Sequence, residues 1–254
     1  MRILVTSSKG GIGKSTLSAG LALAFAEMGR RVLLIDCDLG GRSLDMFLGV
    51  DEQVLFDIGD VAGGRCAPAD AVKNPWDRPN LFFCPSPAIH DPKDTDSGKL
   101  ISAIKAIEAE CAPDHVICDT AGMVCAPDIA ADFADTALIV STQQPASVRA
   151  AETTAMLLQS RGRAVPKLVI STFEWKSARN GKRAGILDII DGSGIMCAGV
   201  VPYDRALMLA GEAGSEAPKD SPGRQAFMNI AARLEGGSVK LFSGISGLSG
   251  KKSL

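Results

Sequence analysis

The chain has 254 residues and a formal net charge of −2, with 46% hydrophobic and 22% charged residues. That is ordinary for a globular protein with a substantial core, and the length suits one α/β domain or two small ones. The faint acidic balance argues against a dedicated nucleic-acid binder, which carries a basic bias.

Seven cysteines stand at Cys37, Cys66, Cys84, Cys111, Cys118, Cys125 and Cys197. An odd count without a CxxC pair gives neither a disulfide framework nor a zinc or iron–sulfur signature, so buried thiols in a reducing cytosol are expected. Met1-Arg2-Ile3-Leu4-Val5 runs straight into polar residues, which predicts no signal peptide. No apolar stretch reaches the length of a bilayer span. The expected location is the cytosol, including the cytosolic face of a membrane.

Apolar runs at 3–5, 32–35, 81–83, 116–118, 138–140, 168–170 and 200–201 read as strands. They do not alternate apolar with polar, which predicts a sheet covered on both faces. A helix starts at Lys14, with Leu17, Leu21, Ala24, Phe25 and Met28 at helical spacing and Gly29 as its stop. Further helices are predicted at 98–110, 146–159, 204–213 and 221–234, and the polar, basic stretch 173–183 reads as a loop over the sheet edge. The alternation implies an α/β fold: a doubly wound, mostly parallel sheet with helices on both faces. The boundaries expected are an ATPase domain at 1–235 and a Gly/Ser-rich tail at 236–254.

The strand 3–5 passes through a glycine-rich turn into the helix at Lys14, the context a phosphate-binding P-loop requires. Gly10, Gly11, Ile12 and Gly13 would aim backbone N–H groups at phosphate oxygens, helped by the helix N-terminus. Lys14 would reach the β- and γ-phosphates, Ser15 the Mg²⁺ ion, and Thr16 the α-phosphate. The general pattern GxxxxGK[ST] is broken at Ser8, and an extra lysine, Lys9, precedes Gly10. Two predicted strands end in acids: Asp36-Cys37-Asp38 and Asp119. Carboxylates at the carboxyl ends of such strands face the ligand crevice. Asp36 and Asp119 are therefore candidate Mg²⁺ residues with Ser15, and Asp38 a candidate for orienting the attacking water.

The loop SSKGGIGKST resembles the deviant Walker A motif of the MinD/ParA family, with Lys9 matching the family's signature lysine. The stretches IDCDLGGRSLDMFLGV (35–50), QPASVRAAE (144–152), DHVICDTAG (114–122) and VVPYDRALMLAGEAG (200–214) are similar to the septum-site and flagellar-placement branch. The resemblance implies an ATPase that binds ATP with Mg²⁺ and forms a face-to-face homodimer, Lys9 of each subunit reaching the other's nucleotide. It also implies slow, partner-stimulated hydrolysis, an unidentified regulatory protein, and membrane attachment through a C-terminal amphipathic helix. The family usually offers an Asn where this chain has Thr172, leaving Pro202 and Asp204 as candidate wall residues of the base pocket.

In the tail, Leu241, Ile245 and Leu248 share one helical face, with Lys240, Lys251 and Lys252 beside anionic headgroups in that reading. Gly236, Gly237, Gly244, Gly247 and Gly250 oppose it, each weakening a helix by up to ~1 kcal/mol. A plain terminus is the competing reading. Two other functions are open: a DNA-segregation ATPase of the ParA kind, and a metal- or cluster-loading ATPase using a lone cysteine such as Cys125. Neither His90 nor His115 has metal or triad spacing, and His115 reads as a surface or cap residue. Arg42 and Arg149 are open between phosphate, a partner and an acidic neighbour.

Overall fold

A computed structural model describes residues 1–91, 95–122, 125–162, 164–239 and 241. Its strands are β1 (Arg2–Thr6), β2 (Val32–Asp36), β3 (Leu81–Cys84), β4 (His115–Asp119), β5 (Thr136–Ser141), β6 (Val165–Phe173) and β7 (Cys197–Pro202). They form one parallel sheet in the order β3-β2-β4-β1-β5-β6-β7. Of the helices, α1 (Lys14–Glu27), α2 (Leu44–Phe47) and α3 (Ile58–Ala62) precede β3, and α4 (Ser97–Cys111) precedes β4. The second half carries α5 (Ala126–Asp132), α6 (Pro145–Arg161), α7 (Trp175–Arg179), α8 (Ile186–Ser193), α9 (Arg205–Glu212) and α10 (Pro222–Leu234).

Successive residues of a strand face opposite sides, and both sides are filled. Ile3, Val5 and Ile117 pack with Leu17 and Phe25 of α1, Leu207 of α9 and Phe227 of α10. Leu4, Val116 and Cys118 pack with Ile104 of α4, Ile129 of α5, Val148 of α6 and Ile189 of α8. This two-sided burial is why the strands read as continuous apolar runs. From β1 the chain turns to β2 on one side, and from β4 it crosses to β5 on the other. The carboxyl ends of β1, β2 and β4 therefore flank one crevice, the usual ligand position in an open α/β sheet.

The predicted helices at 98–110, 146–159, 204–213 and 221–234 are α4, α6, α9 and α10 with shifted ends. Three expectations change. The stretch 173–183 is not all loop: β6 runs to Phe173, and Trp175–Arg179 form α7. His115 is no surface residue. It is 8% exposed, its ring centroid lies 4.2 Å from that of Phe25, and Nε2 lies 2.8 Å from Glu235 Oε1. Cys66 and Cys197 are half-buried, whereas the other five thiols are buried as expected. Of the tail, Lys240 and 242–254 lie outside the described residues, as do the predicted lipid-facing positions Ile245, Leu248, Lys251 and Lys252.

The contact between α1 and α10 rests on a missing side chain and an ion-pair cluster. A Cβ on Gly20 would fall 2.2 Å from the ring of fully buried Phe227. Beside it, the Arg224 guanidinium meets Glu27 at 2.5 Å and Glu216 at 3.1 Å. In an open helix Gly→Ala gains up to ~1 kcal/mol. Here overpacking costs about 1–3 kcal/mol and outweighs it. Gly20→Ala should therefore lower the urea midpoint; a raised midpoint would mean that α10 yields freely.

Candidate functional site

β1 delivers the chain into the loop Ser7–Gly13, and α1 begins at Lys14. Gly13 is the N-cap at φ 90, and a Cβ there would lie 2.8 Å from Ser171 Oγ. Only glycine occupies that position without strain. Gly13 provides no side-chain cap, and the first turn of α1 carries no acid. The first N–H groups of α1 therefore have no side-chain acceptor of their own, the arrangement in which a helix end receives an anion. Gly10, Gly11 and Ile12 complete the loop, and nothing stands within 4 Å of where a Cβ would sit on Gly10 or Gly11.

The carboxylates converge on this helix end. Asp119, last residue of β4, accepts from Ser15 Oγ at 2.7 Å and from Ser18 Oγ at 2.8 Å. Burial pushes its pKa up to about 6, against the pull of those two hydroxyls and Lys14. Asp36, the register partner of Asp119 on β2, is 1% exposed. Its Oδ1 accepts from Asp38 N at 2.9 Å, while Oδ2 is buried with no hydrogen-bond partner. Burial first, then Asp119, pushes Asp36 up to about 8. Asp38 is less enclosed; burial raises its pKa and Lys14 lowers it. Asp36 Oδ2 has only the Ser86 hydroxyl near it, without a well-formed hydrogen bond. The Asp36 and Asp119 carboxylates with the Ser15 hydroxyl are an all-oxygen set of the kind that suits a hard divalent cation such as Mg²⁺.

The two lysines part ways. Lys14 Nζ folds back over the Lys9 carbonyl at 3.3 Å. Lys9 Nζ instead donates to Gln144 Oε1, on the exposed N-cap of α6. Ser8, the residue that breaks the general pattern, also joins α6: it receives the Thr154 hydroxyl at 3.3 Å. Thr16, Ser171, Thr172, Pro202, Asp204 and Met208 help line a cavity of about 70 Å³ on the far side of Gly13. Asp204 braces its wall. Oδ1 accepts from Ala206 N (2.9 Å) and Leu207 N (3.4 Å), Oδ2 from Ser221 Oγ (2.5 Å) and Gly223 N (2.9 Å). Burial alone would raise its pKa, but these donors hold it below the usual carboxylate range.

Residues 3–217 match the model of the CobQ/CobB/MinD/ParA nucleotide binding domain. The chain belongs to that family. It is 33% identical over 244 residues to the septum site-determining protein MinD of Bacillus subtilis, covering 94% of this chain and 90% of that one. It is 29% identical to MinD of Synechocystis over 93% of this chain and 90% of the other. The MinC:MinD cell division protein complex of Aquifex aeolicus has a chain that superposes with a TM-score of 0.84 at 31% identity, covering 94% and 97%. Family membership makes this a MinD-like P-loop ATPase.

Every P-loop residue picked from the sequence lies at the crevice, and so do Asp36, Asp38 and Asp119. Ser18, Gln143 and Gln144 were missed. Ser18 is one helical turn beyond Lys14, so its place on the Asp119 face was available from spacing. Gln143, which accepts from Glu174 N at 2.7 Å and donates to Ala184 O at 2.9 Å, left no such signal, because its partners are remote in sequence. Arg42 bonds Asp45 at 2.5 Å. Cys125 is 2% exposed, its thiol 3.6 Å from the Cys37 carbonyl.

The raised carboxylates give a pH signature. A folded-state pKa near 8 at Asp36 means that the folded protein holds a proton the unfolded chain has lost above about pH 4. Its contribution to stability is full at low pH and is lost as pH rises toward 8. Asp36→Asn removes the titration. Without Mg²⁺, the variant should therefore gain stability over the native chain progressively from about pH 4 to pH 8. Urea titrations at several pH values would test this, and a pH-independent difference would refute it.

Proposed function

We propose that this chain is an ATP-gated dimerisation switch in the spatial regulation of cell division. The observation that carries the reading is the separation of the loop's two lysines. Lys14 stays over its own loop, while Lys9 extends to Gln144 at the exposed rim; in the proposed dimer its ammonium would turn to the facing molecule's nucleotide. A lysine supplied in trans stabilises charge on the transferring phosphoryl group and makes hydrolysis depend on dimer formation.

In that mechanism the Gly10–Gly13 backbone and the α1 N-terminus bind the phosphates, and Lys14 neutralises them. Ser15, Asp119 and Asp36 would hold Mg²⁺, which would supply further neutralisation of phosphate charge. Asp38, half-enclosed at the mouth of the crevice, orients the attacking water. Turnover is slow alone and stimulated by a regulatory protein; the relation to a MinC:MinD complex supports such a partner. Septum placement is taken from the MinD relatives. The described helices include none long and apolar enough to cross a membrane. Attachment, if the tail provides it, is peripheral.

Lys14→Ala should abolish nucleotide binding, and Asp38→Ala should keep ATP while accumulating dimer. Lys9→Ala should bind ATP yet run as a monomer. Light scattering on a sizing column with and without Mg-ATP reads the oligomeric state, and fluorescent-nucleotide titration and phosphate release read binding and hydrolysis. A native monomer with ATP, or Asp38→Ala hydrolysing at the native rate, would overturn the reading. ATPase assays with anionic liposomes, beside a DNA control and a chain lacking 236–254, separate membrane from DNA as the stimulating surface. Stimulation by DNA alone would favour the segregation reading instead.

A further inference from the structure

Asp119 ends β4 with its backbone already fixed. It pairs with Val5 of β1 and Asp36 of β2, and its carbonyl accepts from Cys37 N at 2.8 Å. The freedom left is rotation of the carboxylate, a terminal torsion with broad wells that the backbone does not settle. A donor on one oxygen leaves part of that rotation open, and a donor on each oxygen closes it. Ser15 Oγ donates to Oδ2 at 2.7 Å and Ser18 Oγ to Oδ1 at 2.8 Å. The two serines are i and i+3 on α1, so they stand on one face of the helix.

The two hydroxyls differ in their surroundings. Ser15 is half-buried at the crevice, whereas Ser18 lies a turn deeper and is fully buried. Around Ser18 the helix is built of small apolar residues, Ala19, Gly20, Ala22 and Ala24. A hydroxyl in such a place costs desolvation unless it is bonded. Its single proton has two acceptors within reach, Asp119 Oδ1 at 2.8 Å and the Lys14 carbonyl one turn back at 3.1 Å. The carboxylate is the nearer and the stronger acceptor. Among the described residues, the Ser18 hydroxyl bonds nothing in the phosphate loop 7–13.

We infer that Ser18 is a positioning residue for the divalent cation: its hydroxyl holds one oxygen of Asp119 so that the other is kept toward Ser15 and the crevice. This rests on the Mg²⁺ site of the proposed function. Ser15 is shared in that site between the carboxylate and the ion, and Ser18 is the donor with no duty to the ion. A ligating carboxylate depends on such an outer donor for its orientation, and losing the donor weakens metal binding by roughly 10- to 100-fold. Damage to the phosphate loop would instead weaken nucleotide binding whether or not the metal is present. The two effects are therefore separable by experiment.

Fluorescent mant-ADP, titrated on the full chain in EDTA and at graded Mg²⁺, tests this. In EDTA, Ser18→Ala should bind mant-ADP within about threefold of the native chain. The Mg²⁺ concentration that gives half of the metal-dependent gain should rise roughly tenfold or more. Ser18→Cys, close in volume but a weak donor, should shift the same way. Ser18→Thr keeps the hydroxyl and should stay within about threefold of the native midpoint. Urea titration shows which variants are folded, and Ser18→Cys carries the test if Ser18→Ala is not. A folded Ser18→Ala or Ser18→Cys with the native Mg²⁺ midpoint overturns the inference, as does a Ser18→Thr that matches Ser18→Ala. Equal weakening in EDTA and in Mg²⁺ also overturns it, assigning Ser18 to the shape of α1. A native chain that binds mant-ADP equally well in EDTA and Mg²⁺ would instead sink the cation site of the proposed function.

Discussion

The carboxylate of Asp119 is the point on which the carboxyl end of the sheet depends. It comes from β4, in the middle of the sheet, and takes two hydroxyls from the first turns of α1. Those bonds fix the helix N-terminus over the strand ends and set the angle at which the glycine loop arrives. The same carboxylate lies beside Asp36, whose second oxygen has no partner. Burial and the neighbouring Asp119 carboxylate together disfavour the charged form of Asp36.

Around that point the crevice divides by chemistry. On one side of Gly13 stand charge and hydrogen-bond donors: the loop backbone, Lys14 and the carboxylates. On the other lies a largely apolar cavity with rotatable hydroxyls. Gly13 stands between the two, where a Cβ would press on the Ser171 hydroxyl. The phosphate end has fixed geometry and fixed charge.

The helix α6 links this crevice to the outside. Its N-cap Gln144 holds Lys9, and Thr154 about three turns later meets Ser8. Ser8 is where the general phosphate-loop pattern has glycine, so the departure creates a contact as well as removing one. The loop is thus tied at two points to a helix whose inner face is part of the core.

Much of this was legible in the chain. Continuous apolar runs gave the parallel sheet, because burial on both faces removes the alternation of a half-exposed strand. The P-loop was legible because its chemistry is local: strand, glycines, lysine and hydroxyl lie within one short stretch, and family resemblance explained its extra lysine. Asp36, Asp38 and Asp119 could be placed because a strand end in such a sheet points to the crevice. Helices α2, α3, α5, α7 and α8 were not read from the sequence: none is longer than eight residues, which gives periodicity little to register. His115 was misjudged because its burial comes from Phe25 and Glu235, far away in the chain. Only the tertiary structure decided that Asp204 is a saturated brace, that Lys9 rests on Gln144, and that one oxygen of Asp36 lacks a well-formed hydrogen bond. Each of these depends on partners brought together by folding, and no spacing along the chain encodes which donors a buried oxygen will meet.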